Sequence, residues 1–283
     1  MSLDFAQIEM SMYKKLAHLY DEREQKQMSY WMIEHLTGKK KTELLSEKNW
    51  KLDEKYHNAF NSFIDRLANK EPFQYILGYA PFMEHELKVS PNVLIPRPET
   101  EELVCWINES YGRTMPLKVV DVGTGSGCIA IALKDHFVNA EVKALDNSEK
   151  ALEIVKENCI RTGLDVEIVH LDILSENISD QFDEMLDLVV SNPPYITDSE
   201  LKNLNLSYEP RSALQVPDKE PLLFYKALLG LSLKKLKEGG KIFVECSEFH
   251  ALDVLSLFKR GGMRNVELKK DMQGKNRMIR AEK

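Results

Sequence analysis

Four consecutive residues, Asn192-Pro193-Pro194-Tyr195, carry the most specific chemistry in this chain. Paired prolines fix the backbone and bring no N–H donors, so nearby carbonyls stay available as acceptors. A planar nitrogen substrate can give one N–H to the Asn192 side-chain oxygen and another to the Pro193 carbonyl. Tyr195 offers a flat face for stacking on an amide or a base. Such a set holds a weakly nucleophilic nitrogen by position and polarisation, with no covalent intermediate, metal or strong base. A proline-rich turn with no ligand is the plain alternative for the tetrapeptide alone.

A second constellation lies upstream. Asp121-Val122-Gly123-Thr124-Gly125-Ser126-Gly127 joins an apolar strand to a helix. Its glycines allow a sharp turn and a close approach to a ligand, and helix-start N–H groups attract negative charge. Asp146 ends the next strand, about twenty residues on, where a carboxylate can accept from two ribose hydroxyls. Asp172 follows the third strand at the same edge. It can accept from an adenine amino group, with Ile173 packing on the ring. Gly123, Thr124, Gly125, Ser126, Gly127, Asp146, Asp172 and Ile173 are therefore the candidate nucleotide-site residues. S-adenosylmethionine fits this arrangement, and so does NAD. The GxGxG spacing, with Cys128 next, departs from the dinucleotide form GxGxxG and leans toward the methyl donor.

The elements that must position these residues alternate strand and helix from residue 117 onward. Strands are expected at 117–122, 141–146, 166–170, 186–190 and 241–245. Helices are expected at 127–136, 148–162 (capped by Ser148 and Gly163), 221–238 (stopped by Gly239-Gly240) and from about 246 to 258. Two last strands, near 264–270 and 276–281, are joined by so short a link that they must be antiparallel. The result is an open α/β sheet, mostly parallel, with the tetrapeptide at the carboxyl edge where such folds bind ligands. Before it, residues 99–110 read as a helix opened by Pro98 and acidic residues.

The first seventy residues read as a helical bundle, with Ile8, Met12, Leu16 and Leu19 on one face and Gly38 stopping a second helix. Prolines 72, 81 and 91 then break the pattern, and 73–77 is expected to pair with 87–94 as a hairpin. The net charge of −7 makes the chain a poor non-specific ligand for nucleic acid. The basic groups Lys39-Lys40-Lys41 and Lys269 to Arg280 read as solvated surface charge. Cys105, Cys128, Cys159 and Cys246 form no CxxC pair and read as reduced, mostly buried thiols of a cytoplasmic protein. No membrane span, signal pattern or metal-ligand spacing is expected, and a monomer is the default.

Longer segments carry a resemblance. Glu71-Pro72-Phe73-Gln74-Tyr75-Ile76-Leu77-Gly78, Leu94 to Glu101, the glycine loop, the Asn-Pro-Pro-Tyr motif and Tyr208-Glu209-Pro210-Arg211-Ser212-Ala213-Leu214 together resemble the protein-(glutamine-N5) methyltransferases of the HemK/PrmC family. The resemblance spans nearly the whole chain. It implies a helical domain over residues 1–72 that recognises the substrate protein, a hairpin linker over 73–98, and a Rossmann-like, seven-stranded class I methyltransferase domain over 99–283. It implies S-adenosylmethionine as cofactor, with Gly123 to Gly127, Asp146, Ile173 and Asn192 lining its site. It also implies that Asn192, Pro193, Pro194 and Tyr195 hold the glutamine of the Gly-Gly-Gln motif of class 1 peptide chain release factors, and that the Pro96-Arg97-Pro98-Glu99-Thr100 loop closes over the site. A salt bridge to a neighbour is the alternative reading of Arg97. The chain departs from the family at Glu245-Cys246-Ser247-Glu248-Phe249-His250, where glycine and glutamine are usual, and at Lys219-Glu220-Pro221-Leu222. His250 reads as a surface helix residue. Two other functions share these motifs: adenine-N6 methylation of DNA or RNA, and a non-catalytic cofactor-binding module. A dehydrogenase leaves the tetrapeptide unexplained.

Overall fold

The computed structural model describes residues 2–47, 49–176, 178–202 and 207–283. The chain divides into two compact units, Met1–Gly78 and Tyr79–Lys283.

The first unit is helical: α1 (Phe5–Leu16), α2 (Glu22–Thr37), α3 (Lys41–Ser46), α4 (His57–Ala68) and α5 (Phe73–Leu77). Asp4 and Asp21 open α1 and α2 with reciprocal capping boxes to Gln7 and Glu24, and Gly38 closes α2 in the left-handed conformation. Ile8, Met12 and Leu16 are buried as their spacing predicts; α1 packs against α2 and α4, in which Ile33, Phe60, Ile64 and Leu67 are buried. Phe73–Leu77 is a helix, not the strand expected. Pro72 precedes its first turn, Gly78 accepts the left-handed cap, and Phe73 packs beside Trp31 at a centroid distance of 5.5 Å. The basic run is engaged locally: Lys39 pairs with Glu47 at 2.6 Å, and the Lys41 ammonium lies over the Tyr30 ring.

The second unit opens with the hairpin β1 (Tyr79–Phe82) and β2 (His85–Lys88), so the hairpin lies after the helix that was expected to supply one arm. The helix α6 (Pro98–Ser110) follows with proline in its first turn. Then come β3 (Lys118–Val122), α7 (Cys128–His136), β4 (Glu141–Asp146), α8 (Glu149–Thr162), β5 (Glu167–His170) and β6 (Leu186–Ser191). The short elements β7 (Ile196–Thr197), α9 (Asp198–Leu201), α10 (Arg211–Leu214) and β8 (Gln215–Val216) precede α11 (Leu223–Lys235), β9 (Leu236–Glu245), α12 (Ala251–Arg260), β10 (Arg264–Lys270) and β11 (Asn276–Glu282).

Seven strands form one sheet in the order β10-β11-β9-β6-β3-β4-β5. The β9, β6, β3, β4 and β5 strands run parallel, while β11 is antiparallel to both its neighbours. This is the seven-stranded class I methyltransferase sheet the resemblance implies. The order reverses between β3 and β6, the switch point at which open α/β sheets leave a crevice beyond the strand ends. Period-2 alternation fills both faces: Val119 joins one apolar core, and Val120 and Val122 join the other. Two boundaries depart from expectation, and one of them is the start of α12, at Ala251 rather than near residue 246. The α11 helix stops at Lys235, and β9 already begins at Leu236, because Leu236 pairs with Leu186 across an irregular register. Gly239 takes φ +78° inside that segment, which is the stop signal read one element too late.

Ser148 caps α8 through Ala151 N–H, and Gly163 ends it, both as expected. Cys128 and Cys246 are buried, but Cys105 is exposed and Cys159 half-buried, so burial of the thiols is less general than expected. His250 forms the N-cap of α12 and faces Asp253 at 3.7 Å. Among the described residues no helix is long and apolar enough to cross a membrane, and no cluster of three metal-ligating side chains occurs.

Candidate active site

The carboxyl ends of β3, β4 and β6 border a cleft that is open to solvent. Of the sequence-derived candidates, Gly123, Thr124, Gly125, Ser126, Asp146, Asp172, Ile173, Asn192, Pro193 and Pro194 line it. Gly127 and Tyr195 do not border it.

The glycine turn is built by its backbone. Gly123, Gly125 and Gly127 take φ of +70°, +56° and +81°, and nothing lies within 4 Å of where a Cβ would stand on the first two. Gly127 instead makes close packing possible, since a Cβ there would meet Val155 at 3.0 Å. Thr124 N–H donates to the Leu145 carbonyl at 2.8 Å, tying the turn to β4. Asp146 receives Gly125 N–H on one oxygen and Ser148 N–H on the other, both at 2.9 Å. Burial pushes its carboxyl above the ordinary range, and those backbone donors pull it back. Each oxygen keeps a further lone pair for a ligand hydroxyl. Asp172 closes its own turn by accepting from Leu174 N–H at 2.9 Å.

Beyond β6, Ser191 donates its hydroxyl to the Val122 carbonyl at 2.7 Å and joins the two strand ends at the switch point. The Asn192 side-chain NH₂ donates to Thr100 Oγ1 at 3.1 Å. That leaves its oxygen as the group free to meet a donor. Tyr195 donates its hydroxyl to Glu245 Oε1 at 3.1 Å, and burial pushes its phenol far up. Glu245, at the end of β9, also accepts from Thr100 Oγ1 at 2.7 Å. Burial raises the Glu245 carboxyl, while the hydrogen bonds from Thr100 and Tyr195 and the charge of Arg277 oppose the rise.

Further groups border the cavity that individual motif reading did not single out. Asn92, Val93, Leu94, Pro96 and Arg97 supply one wall, and Ser212, Ala213, Phe224 and Leu228 another. The Pro96-Arg97 segment is strapped down by Glu209, whose buried carboxylate accepts from Ile95 N–H at 3.2 Å and pairs with the Arg97 guanidinium. Arg97 thus makes the salt bridge and also borders the cavity, so the two readings of it are compatible. The signal for these walls was present as the Leu94–Glu101 and Tyr208–Leu214 segments, but not as separate roles for Thr100, Glu209 and Glu245.

The donor set suits S-adenosylmethionine. A carboxylate stands where a ribose diol needs acceptors, apolar Leu171 and Ile173 lie beside Asp172 for a flat base, and the open glycine turn leaves room for the amino-acid end.

Residues 106–207 match the family described as Methyltransferase small domain, and residues 12–78 match PrmC N-terminal domain. The release factor glutamine methyltransferase of Flavobacterium psychrophilum is 36% identical over 272 residues, covering 94% of this chain and 94% of that protein. Its counterpart of the same name in Bacteroides thetaiotaomicron is 35% identical over 272 residues, covering 95% of this chain and 96% of that protein. Among solved structures, a methyltransferase from Pyrococcus furiosus superimposes with a TM-score of 0.52 at 17% identity, over 70% of this chain and 88% of its own. At that identity the likeness is one of fold.

Proposed function

The chain belongs to the release factor glutamine methyltransferase family, and on that premise we propose that it moves a methyl group from S-adenosylmethionine to the side-chain amide nitrogen of the glutamine in the Gly-Gly-Gln motif of class 1 peptide chain release factors. The observation that carries this reading is the meeting of two motifs in one cavity: the glycine turn with Asp146 on one side, and Asn192-Pro193-Pro194 on the other.

S-adenosylmethionine, when bound, supplies a methyl group already activated on a sulfonium. The protein's work is then placement. In this reading Asp146 would accept from the ribose hydroxyls, Asp172 from the adenine amino group, and Ile173 would cover the ring. The Asn192 side-chain oxygen and the Pro193 carbonyl would accept the two amide N–H groups of the glutamine and hold its nitrogen in place for the transfer. Both acceptors would raise the nitrogen's electron density as it takes up the methyl group, and the proton it displaces would leave to water. Positioning of this kind supplies roughly 7–11 kcal/mol of barrier reduction. Tyr195 anchors the tetrapeptide through its bond to Glu245.

The same reading places the enzyme in the cytoplasm with the translation machinery. It needs no second copy, since one chain supplies the cavity walls. The net charge of −7 disfavours a nucleic-acid substrate for the shared Asn-Pro-Pro-Tyr geometry. The decisive experiment incubates the protein with recombinant release factor and isotope-labelled cofactor, then maps the label by mass spectrometry. One methyl on the motif glutamine is expected, and none on a Gln→Ala substrate. Unchanged labelling of that substrate, or transfer to adenine in an oligonucleotide instead, overturns the reading. Asn192→Ala should cut kcat by about 10²-fold or more while leaving the circular dichroism spectrum unchanged.

A further inference from the structure

Glu245 is 2% exposed and ends β9 at the centre of a small network. Its two oxygens serve two different elements. Oε2 accepts from Thr100 Oγ1 at 2.7 Å, in the first turn of α6. Oε1 accepts from the Tyr195 hydroxyl at 3.1 Å, just after β6. Thr100 is itself 2% exposed. A hydroxyl has one proton, and Thr100 spends it on the carboxylate. Toward Asn192 it can therefore only accept, and the Asn192 NH₂ group donates to it at 3.1 Å. An inverted Asn192 amide would set its oxygen against the Thr100 oxygen, two acceptors with no proton between them.

We propose that Glu245 is the positioning residue that fixes the polarity of the substrate clamp: through Thr100 it obliges Asn192 to present its oxygen to the cavity, and through Tyr195 it anchors the other end of the same tetrapeptide. The inference rests on the reading above, in which Asn192 receives the substrate amide. Its chemical content is the order of donors. A carboxylate demands two donors, so Thr100 must donate inward and accept outward. A glutamine at this position presents an NH₂ group on one side. Turned toward Thr100, it reverses that hydroxyl, which can then donate to the Asn192 oxygen and hold the amide the wrong way round.

The test uses Glu245→Gln, Thr100→Val and Thr100→Ser in the full chain, with recombinant release factor as substrate. Thr100→Val cuts the relay at its middle while keeping the side-chain shape, and Thr100→Ser restores the hydroxyl. The expected result is a loss of about 10²-fold in kcat at saturating release factor for Glu245→Gln and Thr100→Val, and recovery to within about threefold of the parent for Thr100→Ser. Cofactor affinity, read by calorimetry, should stay within about threefold for all three, because a role in polarity acts on the acceptor amide and not on the cofactor. Folded Glu245→Gln and Thr100→Val proteins with parental kcat overturn the inference, as does a Thr100→Ser protein as impaired as Thr100→Val. Should Glu245→Gln fail to fold, the Thr100 pair decides alone. A parent enzyme that leaves the release factor unmethylated overturns the functional reading and this inference with it, and is recognised before any variant is compared.

Discussion

Asp121 has a buried carboxylate that the proposed chemistry does not use. It sits in β3 on the same face as Val119, 0% exposed. Thr124 donates its hydroxyl to Oδ2 at 2.6 Å and Ala130 its N–H at 3.2 Å, while Oδ1 is buried without a partner. Burial pushes the carboxyl up to about 7, against the pull of those two donors. The sign of the consequence follows from linkage. From about pH 4, where a free aspartate ionises, to about 7, the unfolded chain has released a proton that the folded chain keeps, so stability falls as pH rises. Asp121→Asn has no such proton. The stability of the parent relative to Asp121→Asn should therefore decline steadily from about pH 4.5 to 7 and level off above, in urea unfolding series across that range. A difference independent of pH would mean that Asp121 is ionised throughout. The motif containing Asp121 is plain in the sequence. Its proton is not, because that depends on burial by residues of α7.

At the scale of elements, the local signals were the readable ones. The β3 and β6 strands are short, mostly apolar runs, β4 alternates charged and apolar residues, and α8 carries its own Ser148 and Gly163 caps, so each is specified within its own residues. Phe73–Leu77 misled because five apolar residues fit strand and helix alike, and the choice rests on Pro72, Gly78 and packing on Trp31. Leu236–Glu238 misled because Leu186 decides it from fifty residues away. The ties between elements were least legible. Asn158 is an example: one polar residue on a helix, it is fully buried. Its oxygen accepts from Lys88 N–H at 2.6 Å, and its NH₂ donates to the carbonyls of Lys88 at 3.1 Å and Ser126 at 2.9 Å. It thus clamps α8, the end of β2 and the glycine turn together. Asn158→Ala strands three backbone groups, each worth about 1–3 kcal/mol when left buried and unpaired, so a loss of about 3 kcal/mol is expected after relaxation. Because Ser126 borders the cavity, cofactor affinity should fall by about tenfold as well, a loss of about 1.4 kcal/mol. Urea unfolding and calorimetric titration check the two effects separately. Lost stability with unchanged affinity would show that the turn holds its shape without the clamp.

The whole molecule divides its labour along the chain. Every group lining the cavity falls between Asn92 and Leu228, inside the unit Tyr79–Lys283, and both apolar cores flanking the seven-stranded sheet are built from that unit alone. A unit with its own cores is expected to fold by itself. Residues 79–283 should therefore give a cooperative unfolding transition and bind S-adenosylmethionine within about threefold of the full chain. If the helical unit serves to recognise the substrate protein, its removal should act on KM alone. The chemistry depends only on holding one glutamine amide, whereas docking a whole release factor draws on surface remote from it. Binding energy taken from such remote contacts appears in kcat/KM. The truncated protein should thus lose about tenfold or more in kcat/KM toward intact release factor, yet treat a short Gly-Gly-Gln peptide as the full chain does. An equal loss on peptide and protein would assign the helical unit to the architecture of the site, and no loss on either would leave recognition wholly to the sheet-bearing unit.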